Sequence, residues 1–168
     1  MVIVRTILVV FFVSTSLWAS ETTPTATNTP EPRIYKKTVK GEFTETYKKV
    51  FTALENNGYF VVFEPNIGKN LSHFEQRWGK NYNKNQLEAI RSIVFCNAWY
   101  ANEVSNQDPN MLALCPLHLT LTQKNGVTTI LFVRPSQVAI GSPAKAIAEE
   151  LEQDVIRAIE QGFIPSSG

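Results

Sequence analysis

Cys96 and Cys115 are the only cysteines in the chain, and they are the residues most able to do chemistry. In an oxidising compartment two thiols form a disulfide, exchange with other thiols or hold a soft metal. A bond between them would close a ring of 20 residues, worth roughly 3 kcal/mol in the chain-entropy picture. His118 follows Cys115 by three residues. Cys96, Cys115 and His118 together would make three ligands suited to Cu or Zn, with Met111 and His73 as distant candidates for a fourth. An odd spacing on a strand sends Cys115 and His118 to opposite faces, although a bend at Pro116 would let them converge. Thiol exchange needs a depressed thiol pKa, from a cation such as Arg91 or Arg134 or from a helix start just after Cys96. The bland alternative is a structural disulfide or two buried thiols acting as small apolar side chains. Between the cysteines, Asn97, Trp99, Tyr100 and Asn102 gather amides and aromatics suited to a binding pocket or dimer face. The candidate binding set is therefore Cys96, Asn97, Trp99, Tyr100, Asn102, Cys115 and His118, with no catalytic residue assigned.

Other chemistries lack their patterns. There is no nucleophile elbow, no phosphate-cradling glycine loop and no carboxylate pair with a supporting base. No cofactor is expected beyond the Cu or Zn alternative. Net charge is +1, too small for a strong field toward nucleic acid. Lys36, Lys37, Lys40, Lys48, Lys49, Lys80 and Lys84 are scattered, without an aromatic-interleaved basic stripe. Glu149, Glu150, Glu152 and Asp154 read as the solvated side of a terminal helix.

The elements that position these residues are legible from periodicity. Ile34 to Lys40 reads as a strand ending at Gly41. Thr44 caps a helix whose Tyr47, Val50, Phe51 and Leu54 recur at helical spacing, and Gly58 stops it. Tyr59 to Phe63 is an unbroken apolar run, expected as a buried strand ended by Pro65. Leu71, Phe74 and Trp78 predict a short amphipathic helix with its aromatics in the core. Gln86 to Arg91 suggests a helical turn, and Ser92 to Asn97 a third strand. Ala98 to Asn106 suggests helical turns with Trp99, Tyr100 and Val104 inward. Leu117, Leu119 and Leu121 alternate with His118, Thr120 and Thr122, the mark of a half-buried strand. Asn125-Gly126 turns it into Val127 to Val133. Ser142-Pro143 opens a last helix with a stripe of Ile147, Leu151, Val155 and Ile159, closed by Gly162. The order gives a single α+β domain, a mainly antiparallel sheet with helices packed on one face.

The first nineteen residues read as an export signal: Arg5, then the apolar run Ile7 to Val13, then Leu17-Trp18-Ala19 as a cleavage point. That run is shorter than the ~20 residues a membrane span needs. No stable membrane insertion is expected after cleavage, and the destination is the periplasm or the exterior. Residues 20–33 are rich in Thr and Pro and lack large apolar side chains, the composition of a flexible linker. The folded domain is then 34–164.

The stretch Cys96-Asn97, Trp99 to Asn106, Asp108-Pro109, Leu112-Ala113-Leu114-Cys115-Pro116 and Arg134-Pro135 resembles the domain-of-unknown-function family 302. The helix ending in Asn57-Gly58 before an apolar strand fits too, so the resemblance spans roughly Ile34 to Gln161. It differs in Cys96-Asn97-Ala98 for Cys-Asn-Pro, in Cys115-Pro116 for Pro-Cys, and in an insertion over Asn66 to Asn85. The resemblance implies a compact domain that is often dimeric and has no assigned reaction. Candidate partners are accordingly a second copy of the chain and an unidentified small molecule or protein.

Overall fold

A computed structural model describes residues 31–164. The export signal (1–19) and most of the linker (20–33) lie outside the described residues. Five strands form one antiparallel sheet: β1 (Ile34–Lys40), β2 (Phe60–Phe63), β3 (Ala89–Cys96), β4 (Leu117–Lys124) and β5 (Val127–Val133), in the spatial order β1-β5-β4-β3-β2. The α+β reading is correct. The Asn125-Gly126 turn fixes the β4–β5 register, since both residues adopt positive φ (51° and 69°), which Asn and Gly tolerate.

Side-chain alternation then sorts the sheet into two faces. Ile93 and Phe95, Leu117, Leu119 and Leu121, and Ile130 and Phe132 are buried on one face. Two helices cover it: α1 (Phe43–Asn56) with Tyr47, Val50 and Leu54, and α6 (Lys145–Gln161) with Leu151, Val155 and Ile159. Of the predicted stripes, Tyr47, Val50 and Leu54 of α1 and Leu151, Val155 and Ile159 of α6 are buried, with Phe51 and Ile147 half-buried beside them. The end of α6 lies directly on α1. A Cβ at Gly162 would stand 3.1 Å from the Lys49 carbonyl oxygen, so only glycine fits that contact without a shift. At the β1 edge, Tyr35 and Lys37 both donate to the Glu160 carboxylate.

Several expectations need correction. α1 begins at Phe43 behind Glu42, which makes no side-chain cap bond, so Thr44 lies inside its first turn. The helical turn expected over Gln86 to Arg91 does not form; β3 starts at Ala89. The apolar run ending at Phe63 is an edge strand: Phe60, Val62 and Phe63 are each about 60% exposed, and Tyr59 and Val61 alone supply its inward packing. A continuous apolar run suggests a strand covered on both faces, but here it ends the sheet and keeps one partner. The insertion folds as α2 (Ile67–Ser72), α3 (Glu75–Trp78) and a 3-10 turn over Gly79–Asn81. Phe74 and Trp78 are outside the core, stacked on each other at 4.9 Å between ring centres.

The acidic residues of α6 are not uniformly solvated. Glu152 is 1% exposed. It accepts from the Arg134 guanidinium, from the Ser136 backbone N–H and from the Ser136 hydroxyl. Its carboxylate thereby closes the start of the short helix α5 (Pro135–Val138), which has no side-chain cap of its own. The Arg134-Pro135-Ser136 turn is thus anchored to the last helix by a buried ion pair.

Candidate functional site

The excursion between the two cysteines comprises the helix α4 (Ala98–Gln107) and a 3-10 segment over Pro109–Leu114. Asn97 is its organising residue. Its Oδ1 accepts from the backbone N–H groups of Trp99 and Tyr100, and its Nδ2 donates to the Gly58 carbonyl, 3.1 Å away. One side chain therefore caps α4 and ties it to the turn between α1 and β2. Gly58, at φ 78°, supplies the left-handed bend that presents its carbonyl. Asp108 caps the next segment in the same way, accepting from the Asn110 N–H, and also accepts from the Ser142 hydroxyl.

Tyr100 is a core residue. Its ring lies parallel to that of Tyr59, and Tyr59 sits edge-on to Phe95. Burial raises the Tyr100 phenol to about 12, helped by the nearby carboxylates of Asp154 and Glu150. Tyr59 is raised as well, first by burial and then by donating to Asp154 at 2.8 Å. Neither phenol is available as a base at neutral pH. Trp99, expected to face inward, is 54% exposed and packs edge-on against Tyr100. Asn102 is exposed and bonds to Glu103. Of the four residues of the expected pocket, Asn97 and Tyr100 are occupied internally and Trp99 and Asn102 face solvent.

Cys96 and Cys115 are both half-buried free thiols, so the candidate disulfide between them is not formed. Cys96 is the last residue of β3 and stands opposite Phe60 of β2, whereas Cys115 lies before β4 begins, in the turn that closes the 3-10 segment. Burial pushes the Cys115 thiol up, and the nearby Cys96 adds to the effect. That direction disfavours the thiolate needed for exchange or metal binding. His118 points from the exposed face of β4, opposite Val94. Among the described residues, no group of three His, Cys, Asp or Glu side chains is placed to hold a metal ion, so the set Cys96, Cys115 and His118 does not assemble. His73 belongs to no such group either. Arg91 and Arg134, considered as thiol activators, are engaged elsewhere. Arg91 lies over the Tyr47 ring and near Glu64, and Arg134 pairs with Glu152.

The feature that sequence reasoning missed is the open face of the sheet. Phe60 beside Cys96, Val94 beside His118, and Val133 beside Ile34 all project away from α1 and α6. Phe60 is 63% exposed, Ile34 43% and Val133 39%. On this face Lys36 follows Ile34 on β1, opposite Leu131, while Lys40 and Lys124 lie at the other end of the strands. The β2 edge beside it is closed to a further strand, because Glu55 of α1 accepts from the outward Val61 N–H at 2.7 Å. The alternating register of β4 and β5 was the available signal: Leu131 and Val133 stand on the side opposite Ile130 and Phe132. Elsewhere, an open groove of about 460 Å³ is lined by Lys48, Lys49, Thr52, Asn56 and Gln161. It gathers no chemistry beyond solvated surface.

The family whose model is described as "Domain of unknown function DUF302" matches residues 35–162. Among solved structures, the crystal structure of an uncharacterized conserved protein DUF302 from Bacillus stearothermophilus aligns with a TM-score of 0.65 at 21% identity, covering 77% of this chain and 97% of that one. At that identity the likeness establishes the fold. No curated protein matches the chain.

Proposed function

The chain belongs to the DUF302 family, and we propose that it is an exported, non-catalytic interaction module that pairs with a second copy through the open face of its sheet. The observation that carries this reading is the apolar end of that face, with Phe60, Val94, Val133 and Ile34 uncovered by either core helix. Soluble monomers rarely leave such a surface open without a partner. A second copy fits it because Lys36 lies at the β1 margin of the patch, so a two-fold contact centred on the middle strands keeps the two copies' Lys36 side chains apart. The other sheet edge is guarded by Lys36, Lys37 and Lys40 of β1, and the β2 edge by Glu55; a contact through the face needs neither. The apolar run from Ile7 to Val13 supports export to the periplasm or exterior.

Sedimentation equilibrium tests this reading. The wild-type protein is expected to be a dimer at micromolar concentration. His118→Glu with Val133→Glu should sediment as a monomer with an unchanged urea midpoint, because both positions are exposed. A wild-type monomer, or a doubly substituted protein that still pairs, would overturn it.

The alternative is a thiol redox or metal-handling role for Cys96 and Cys115. The raised Cys115 thiol weighs against it. Cys115 is expected to react with iodoacetamide more slowly at pH 7 than a free cysteine does, and to accelerate only as pH rises beyond the ordinary thiol value. Rapid alkylation of Cys115 at pH 7, or stoichiometric copper or zinc in the purified protein, would favour the redox or metal reading instead.

A further inference from the structure

The insertion between β2 and β3 is built to meet something outside the fold. Its base is fixed: Ser92 donates its backbone N–H to the Pro65 carbonyl, Gly68 lies against the Ile90 backbone, and the Asn83 side chain bonds both the N–H and the carbonyl of Leu87. Beyond that base, α2, α3 and the following 3-10 turn contain no buried residue. All ten positions from 72 to 81 are exposed. Ordering such a segment costs backbone entropy that core burial does not offset here.

What the segment displays is specific. Phe74 and Trp78, four residues apart, stack at 4.9 Å with their planes 15° from parallel, and both are about 40% exposed. The same segment carries Lys69, Arg77, Lys80 and Lys84, with Glu75 as the one carboxylate between Asn66 and Asn85. The segment carries a net charge of +3 in a chain whose total is +1. Among the described residues none of these four cations is in an ion pair. Phe74 and Trp78 thus lie exposed in a segment that also carries these four cations.

We propose that this insertion is a docking element for an anionic lipid surface, with Phe74 and Trp78 seated at the headgroup boundary and the four cations on lipid phosphates. Aromatic side chains favour that boundary, and basic residues beside them add electrostatic attraction to anionic lipid. A second copy of the chain is the wrong partner for this surface, since it would bring the same positive charge. The element lies on the strand connection between β2 and β3, outside the residues proposed to pair.

The test uses the full chain with Trp18→Phe and Trp99→Phe, which leaves Trp78 as the sole indole. Vesicles of phosphatidylcholine alone are compared with vesicles that also contain phosphatidylglycerol, each with acyl-brominated lipid as quencher. The expected result is a blue shift and quenching of Trp78 on the anionic vesicles only. Arg77→Glu with Lys80→Glu should weaken partitioning at least about tenfold, as two reversed charges at an anionic surface require. Reporting through Trp78 separates this contact from any made by the apolar N-terminal run. Co-sedimentation with an unshifted Trp78, or equal quenching on neutral vesicles, would overturn the proposal. So would a Trp78 response to single-stranded DNA with none to lipid, which would make the element a nucleic-acid contact.

Discussion

Glu152→Ala is expected to destabilise the domain by about 3–5 kcal/mol, read as a fall in the urea unfolding midpoint with little change in slope. The carboxylate is 1% exposed and takes three hydrogen bonds, two from Ser136 and one from Arg134. Its removal leaves Arg134, itself only 14% exposed, without its main partner. Glu31, at 3.8 Å and largely in solvent, is a poor substitute. The loss also strips the cap from the start of α5 and frees the turn that links the hairpin to the last helix. Glu152→Gln keeps the acceptor for Ser136 and should cost less. Replacing both partners, Arg134→Met with Glu152→Leu, should recover much of the stability, because exchanging a buried ion pair for apolar side chains is often neutral or better. A single Glu152→Ala that unfolds within about 1 kcal/mol of wild type would show that this pair does not anchor the turn.

The second large effect is expected at Phe95→Ala, again about 3–5 kcal/mol. Phe95 is fully buried in β3. It meets Tyr59 edge-on at 5.6 Å and leans on Phe132 at 6.4 Å. Truncation removes the centre of an aromatic series that runs from Phe132 through Phe95 and Tyr59 to Tyr100. The cavity left behind cannot collapse readily, since α1 and α6 are already in contact through the Gly162 approach to Lys49. Loss of near-ultraviolet circular dichroism should accompany the lower midpoint as the tyrosine stack loosens. Unchanged near-ultraviolet signal at full stability would place the packing centre elsewhere in the core.

These two residues show how far the chain could be read. Phe95 sits in an apolar run, and its inward orientation follows from strand periodicity; its burial is visible in the sequence. Glu152 is not. In α6 the stripe of Ile147, Leu151, Val155 and Ile159 marks one face, and Glu152 follows Leu151 by one residue. Periodicity alone puts it at the rim of the stripe, with solvent as its natural partner. Only the return of Arg134-Pro135-Ser136 against α6 turns that rim position into a buried one. Phe74 and Trp78 fail in the opposite direction. Their spacing is that of an amphipathic helix, and nothing local says that no apolar surface stands opposite them. Cys96 and Cys115 belong to the same class: Cys96 ends β3 and Cys115 lies outside β4, and whether two such thiols bond depends on the path of the chain between them.

By itself the sequence determined the order of the elements, the turn at Asn125-Gly126, the buried stripes of α1 and α6, the α+β class and the resemblance that family membership bears out. All of these rest on short-range rules: side-chain period, turn conformation and termination by glycine or proline. The tertiary structure decided which strand became the edge, which face of the sheet stayed open, which acidic residue was buried and whether two thiols came within reach of each other. Those outcomes depend on what packs opposite each residue, and partners far apart in sequence leave no local trace.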